Sequence, residues 1–138
     1  MRESPENSTQ AGHRARQILL IDDYPLGRKM VSIRLRQAGF EVTAASTAED
    51  ALRQARRMPP DAVVSDIRMT GMNGFELCEV IRKEPGLARI PVLLVSSNVE
   101  DADRQRARAL GVKCLLRTSD MREVLQALAD VFGASGRS

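Results

Sequence analysis

Ile18-Leu19-Leu20-Ile21-Asp22-Asp23 is a short apolar run that stops on two carboxylates. Four apolar residues without polar alternation suit a strand covered on both faces, the kind found in parallel sheets. A second run, Ala62-Val63-Val64-Ser65, stops on Asp66 in the same manner. Working outward, residues 42–45 (Val-Thr-Ala-Ala), 92–95 (Val-Leu-Leu-Val) and 114–116 (Cys-Leu-Leu) bring the number of such runs to five. Between them the apolar positions take helical spacing: Leu26, Met30 and Ile33; Ala48, Ala51, Leu52 and Ala55; Leu77, Val80 and Ile81; Met121, Val124, Leu125 and Leu128. Thr47 before Asp50 and Asp120 before Glu123 predict helix starts, and Gly39 and Gly111 predict left-handed helix ends.

Strand and helix alternate throughout, so the fold expected is α/β: a (βα)5 open parallel sheet in a three-layer sandwich with the flavodoxin-like strand order 2-1-3-4-5. The 138 residues suit one domain, expected over 17–132, with a disordered polar tail over 1–16 and a short C-terminal tail over 133–138. No run is long and apolar enough to span a bilayer, and the polar first residues do not read as a secretion signal.

Cys78 and Cys114 lie in apolar surroundings without metal-ligand spacing, so two buried free thiols in a reducing, cytoplasmic compartment are expected. Net charge is +3, and 18 of the 21 basic residues are Arg, spread along the chain as solvated helix faces. With one Tyr, three Phe and no Trp, and no concentrated basic stripe, the composition argues against direct nucleic-acid binding.

In an open parallel sheet the ligand site lies beyond the carboxyl ends of the strands, where the strand order reverses. Strands one and three are neighbours in the expected order, so Asp22, Asp23 and Asp66 would share one pocket. Any one of them alone is more simply a cap or turn residue. Together, like charges so placed call for a divalent cation, and an all-oxygen ligand set suits Mg²⁺. Ser96 and Ser97 end the fourth run and Arg117 follows the fifth, which brings a hydroxyl and a cation to the same edge.

These stretches, with Val63-Val64-Ser65-Asp66-Ile67-Arg68-Met69-Thr70-Gly71-Met72-Asn73-Gly74 as the most diagnostic and Leu93-Leu94-Val95-Ser96-Ser97 beyond it, resemble the receiver domains of bacterial response regulators, chemotaxis-type in size. The resemblance runs from about Ile18 to Phe132. It implies a two-component or phosphorelay protein in which Asp66 accepts a phosphoryl group from a sensor histidine kinase or phosphotransfer protein. Asp22, Asp23, Asp66 and the backbone carbonyl of Arg68 would hold Mg²⁺, with Ser96 as switch hydroxyl and Arg117 as the phosphate-binding cation. Gly74 would open the third helix through tolerance of unusual dihedrals. The downstream effector would meet the face of helix four, strand five and helix five, with homodimer formation left open.

The chain departs from the family pattern at the end of strand five. Arg117-Thr118 stands where Lys-Pro is usual, and alignment from Asp120 backwards places Arg117 on the lysine whereas alignment from Gly111 forwards places Thr118 there; the charge requirement favours Arg117. Cys114 or Leu115 takes the usual aromatic position, Thr70 replaces a proline and Asn73 an aspartate. The competing reading is a degenerate receiver that docks partners without phosphate. A turnover phosphatase is disfavoured because the only histidine, His13, lies in the tail.

Overall fold

The computed structural model describes residues 14–118 and 120–137; His13 and the first 13 residues of the expected tail lie outside them. Five strands and five helices alternate: β1 (Gln17–Ile21), α1 (Pro25–Gln37), β2 (Glu41–Ala45), α2 (Ala48–Arg57), β3 (Ala62–Asp66), α3 (Gly74–Lys83), β4 (Val92–Ser96), α4 (Asp101–Leu110), β5 (Lys113–Leu116) and α5 (Arg122–Arg137). The sheet is wholly parallel in the order β2-β1-β3-β4-β5, as the alternating runs predict. Helix α5 continues to Arg137, past the Phe132 at which the sequence reading ended the domain.

Side chains alternate across the pleat, so each strand serves two cores. Leu19, Ile21, Val63 and Leu94 face α2, α3 and Ala107 of α4, while Ile18, Leu20, Val64 and Val95 face Val31 and Leu35 of α1 and Val124 and Leu128 of α5. Each fully buried Leu, Ile or Val contributes roughly 1.5–3 kcal/mol relative to exposure, which explains why four- and five-residue strands suffice.

The predicted helix signals are met in part. Thr47 Oγ1 accepts from the Asp50 N–H at 3.0 Å, and Gly39 and Gly111 take φ of 100° and 72°. Asp120 does accept from an N–H of the first turn of α5, that of Arg122, but Glu123 turns away and accepts from the N–H of Leu116 on β5. The expected α1 stripe is also corrected: Leu26, Met30 and Ile33 are 55%, 54% and 43% exposed, and Val31 and Leu35 carry the packing instead. Of the two cysteines, neither in a disulfide, Cys78 is buried as expected and Cys114 only partly so.

Gly74 is needed for a reason other than its dihedrals. Its φ is not positive; a Cβ there would lie 2.5 Å from the carbonyl oxygen of Asp66 and 3.1 Å from Ile67 Cα. Because the obstruction is backbone, Gly74→Ala is expected to destabilise by about 1–3 kcal/mol, the range for overpacking, which urea melts would measure as a lowered midpoint with unchanged slope.

Candidate functional site

The register of the central strands brings the carboxylates together. Ile21 pairs with Ser65, so Asp22 and Asp66 leave neighbouring strands at one level, and Asp66 pairs with Val95, one residue before Ser96. Ser96 in turn pairs with Leu116, which leaves Arg117 as the next residue out. One carboxylate oxygen from each of Asp22, Asp23 and Asp66 lies within 4.8 Å of the others.

Every member of the cluster is held by named partners. Asp22 is 2% exposed; its Oδ1 accepts from the N–H of Tyr24 at 3.0 Å and its Oδ2 from Arg117 Nη1 at 3.1 Å. Arg117, whose own N–H donates to the carbonyl of Ser96, is thus the residue after β5 that reaches the acids, while Thr118 is exposed and donates to Asp120. Asp23 Oδ2 accepts from both the N–H and the hydroxyl of Thr70 at 2.9 and 3.1 Å. A proline at that position could not donate the N–H, so the Thr70 replacement ties the β3–α3 loop to Asp23, a role the sequence did not reveal. Gly27 was also missed: a Cβ there would sit 2.9 Å from Asp22 Oδ2 and 3.5 Å from Arg117 Nη1.

Asp66 Oδ1 accepts from the N–H of Ile67 at 3.1 Å, and no hydrogen bond among the described residues reaches Oδ2. Its pKa is pushed up to about 6, first by burial and then by the charge of Asp22, with Asp23 adding less; Arg117 and the Ile67 N–H pull the other way. The ionised form is therefore disfavoured in the fold. Native stability should fall as pH rises from about 4, the unfolded value, through about 6, and the loss should be complete above that. Two units correspond to roughly 3 kcal/mol, and solvent screening at a partly exposed edge reduces this to on the order of 1–2 kcal/mol. In chelator-treated protein the stability of Asp66→Asn relative to wild type should grow by that amount across the window; a difference flat with pH would contradict it.

Ser96 is buried, and its hydroxyl accepts from Arg68 Nη1 at 3.1 Å and from the N–H of Asn98 while donating to the Asn98 carbonyl at 2.9 Å. The all-oxygen acid cluster fits a hard divalent cation in two respects. Three carboxylates converge with a single guanidinium against them, and burial beside like charge leaves one of them short of positive charge.

Residues 18–129 match the family model of the response regulator receiver domain. This chain belongs to that family. The receiver is 33% identical over 86 residues to the DNA-binding response regulator MtrA of Mycolicibacterium smegmatis, covering 62% of this chain and 36% of that protein. The chain thus spans about a third of that relative's length. Among solved structures it is similar to the chemotaxis protein CheY4 of Vibrio cholerae, with a TM-score of 0.79 and 28% identity over 86% of this chain and 99% of that one. It is similar also to the receiver domain of the sensor histidine kinase PA1611 of Pseudomonas aeruginosa, with a TM-score of 0.78 and 26% identity over 87% of this chain and 99% of that one; that structure has a magnesium ion coordinated in its active-site cleft. Among the described residues no helix of the receiver is long and apolar enough to cross a membrane.

Proposed function

We propose that the receiver takes a phosphoryl group onto Asp66 and that this changes which partner surface it presents. The observation that carries the reading is the convergence of Asp22, Asp23 and Asp66 within 4.8 Å beside Arg117. Asp22, Asp23 and Asp66, with the carbonyl of Arg68 added from the family pattern, would hold Mg²⁺. When bound, Mg²⁺ supplies charge neutralisation on the phosphoryl oxygens as they pass between donor and acceptor.

The receiver's own residues do the rest. An oxygen of Asp66 forms the new O–P bond as the P–N bond of a donor phosphohistidine breaks; the bonding pair leaves with the imidazole, which then takes up a proton. Counting three carboxylates, a divalent cation and one guanidinium leaves the pocket near neutral before transfer, and the acyl phosphate then carries about −1.5 to −2 in place of the single charge of the Asp66 carboxylate. The Arg117 guanidinium, now on Asp22, would answer it, as would the Ser96 hydroxyl once released from the Asn98 carbonyl. A docking module indifferent to phosphate would have no use for this costly arrangement of charge.

Exposed side chains support a reading of the partner surfaces. The donor, a histidine kinase or phosphotransfer protein, would cover the exposed Tyr24, Leu26 and Met30, which line a cavity of about 320 Å³ that reaches Arg117. The effector would meet the α4–β5–α5 face, where Arg104, Arg108 and Lys113 surround the partly exposed Cys114 and Leu115 in a groove of about 280 Å³. Three cations with no acid among the groove residues suit an acidic partner segment. A cytoplasmic location accords with such partners and with the free thiols. The test is the intact mass of the chain after incubation with Mg²⁺ and acetyl phosphate, with Asp66→Asn as the control.

A further inference from the structure

Two residues beyond Asp66, the side chain of Arg68 binds three groups at once. Its Nη2 donates to Asp103 Oδ2 at 2.9 Å, and its Nη1 to Ser96 Oγ at 3.1 Å and to the carbonyl of Asn98 at 3.4 Å. Asp103 lies in the first turn of α4, is largely buried, and on the same oxygen accepts the N–H of Glu100 at 3.0 Å. One carboxylate oxygen therefore holds both the start of α4 and the loop that leaves β3. Asp103's carboxyl is held below the usual range, first by the Glu100 N–H and then by Arg68, as a carboxylate gripped from two sides should be.

The same cluster commits the hydroxyl of Ser96. A serine has one proton to give, and here it goes to the Asn98 carbonyl at 2.9 Å, while Arg68 and the Asn98 N–H occupy the oxygen's acceptor side. Ser96 cannot donate to a phosphoryl oxygen at Asp66 until this arrangement opens. The opening has a natural cause, because a phosphoryl group beside Arg68 brings more charge and more acceptor oxygens than one aspartate.

We infer that Arg68 is a positioning latch, which ties α4 to the β3–α3 loop through Asp103 and releases it when the phosphoryl group competes for the guanidinium. The inference rests on the reading of Asp66 as phosphoacceptor. It also supplies a path to the α4–β5 surface in a chain whose β5, Lys113-Cys114-Leu115-Leu116, has no aromatic side chain to rotate. The alternative is an idle surface ion pair, since the Arg68 side chain is 53% exposed and such pairs are often worth little.

Asp103→Asn separates these. Asparagine keeps an oxygen for the Glu100 N–H, so the helix start survives while the charge that holds Arg68 is gone. In the ¹⁵N-labelled full chain without phosphate, the amides of Asn98, Glu100 and Arg104 should move toward their positions in phosphorylated wild type, and phosphorylation by acetyl phosphate should be roughly two- to fivefold faster. Arg68→Gln, which leaves Asp103 in place, should displace the same amides in the same direction. If wild type takes up phosphate but neither variant displaces these amides, or only Asp103→Asn does so, the latch is wrong and the phosphoacceptor reading stands. If wild type takes up no phosphate, both fail.

Discussion

Asp66→Asn is expected to abolish phosphoryl uptake from acetyl phosphate, a loss of at least about a thousandfold in rate, the scale on which removing a nucleophile acts. The substitution is nearly isosteric, and the amide oxygen can still accept from the N–H of Ile67 that now bonds Oδ1. What disappears is the anionic oxygen able to bond phosphorus. Since the wild-type carboxylate is destabilised by burial and by Asp22, the variant should be the more stable protein above pH 6. A protein that melts higher and yet gains no phosphate would separate loss of chemistry from loss of fold. Undiminished uptake by Asp66→Asn would move the acceptor elsewhere.

The second large effect is expected at Asp22, which is buried between the Tyr24 N–H and Arg117. Asp22→Asn removes one of three converging charges, and affinity for Mg²⁺ measured by calorimetry should drop by at least the ten- to hundredfold that loss of an outer partner of a metal site costs. The same substitution acts on Asp66 in the opposite sense. Asp22 is the largest charge raising its pKa, so Asp66 should titrate lower, below the value of about 6 in wild type. Unfolding would also weaken metal binding and return Asp66 to about 4, so both readings are taken below the urea midpoint of the variant, where the chain is folded. If Mg²⁺ affinity is unchanged, the acid cluster does not hold the cation.

The fold was readable because burial on both faces writes itself as unbroken apolar runs, and because Asp22, Asp23 and Asp66 interrupt them at one end. The acid cluster followed from strand order, since neighbours in the sheet align their carboxyl ends. Other features were hidden for physical reasons. Leu26, Met30 and Ile33 have the spacing of a core stripe, and sequence period alone does not say whether a helix turns that stripe inward. Arg68 and Asp103 are 35 residues apart, and nothing in either neighbourhood announces that loop and helix meet. Thr70 stands where a proline is usual, and nothing in the sequence shows that its N–H grips Asp23. Gly74 was read as a dihedral requirement, whereas its cause is the closeness of the Asp66 carbonyl, which only the packed backbone discloses.

The most direct measurement is the location of the phosphoryl group. Wild-type chain treated with Mg²⁺ and acetyl phosphate, then reduced with borohydride and digested, should yield homoserine in place of Asp66 and nowhere else, the product of an acyl phosphate. A reduction-resistant phosphate on Ser96, Ser97 or any other side chain, with Asp66 recovered intact, would contradict the central claim.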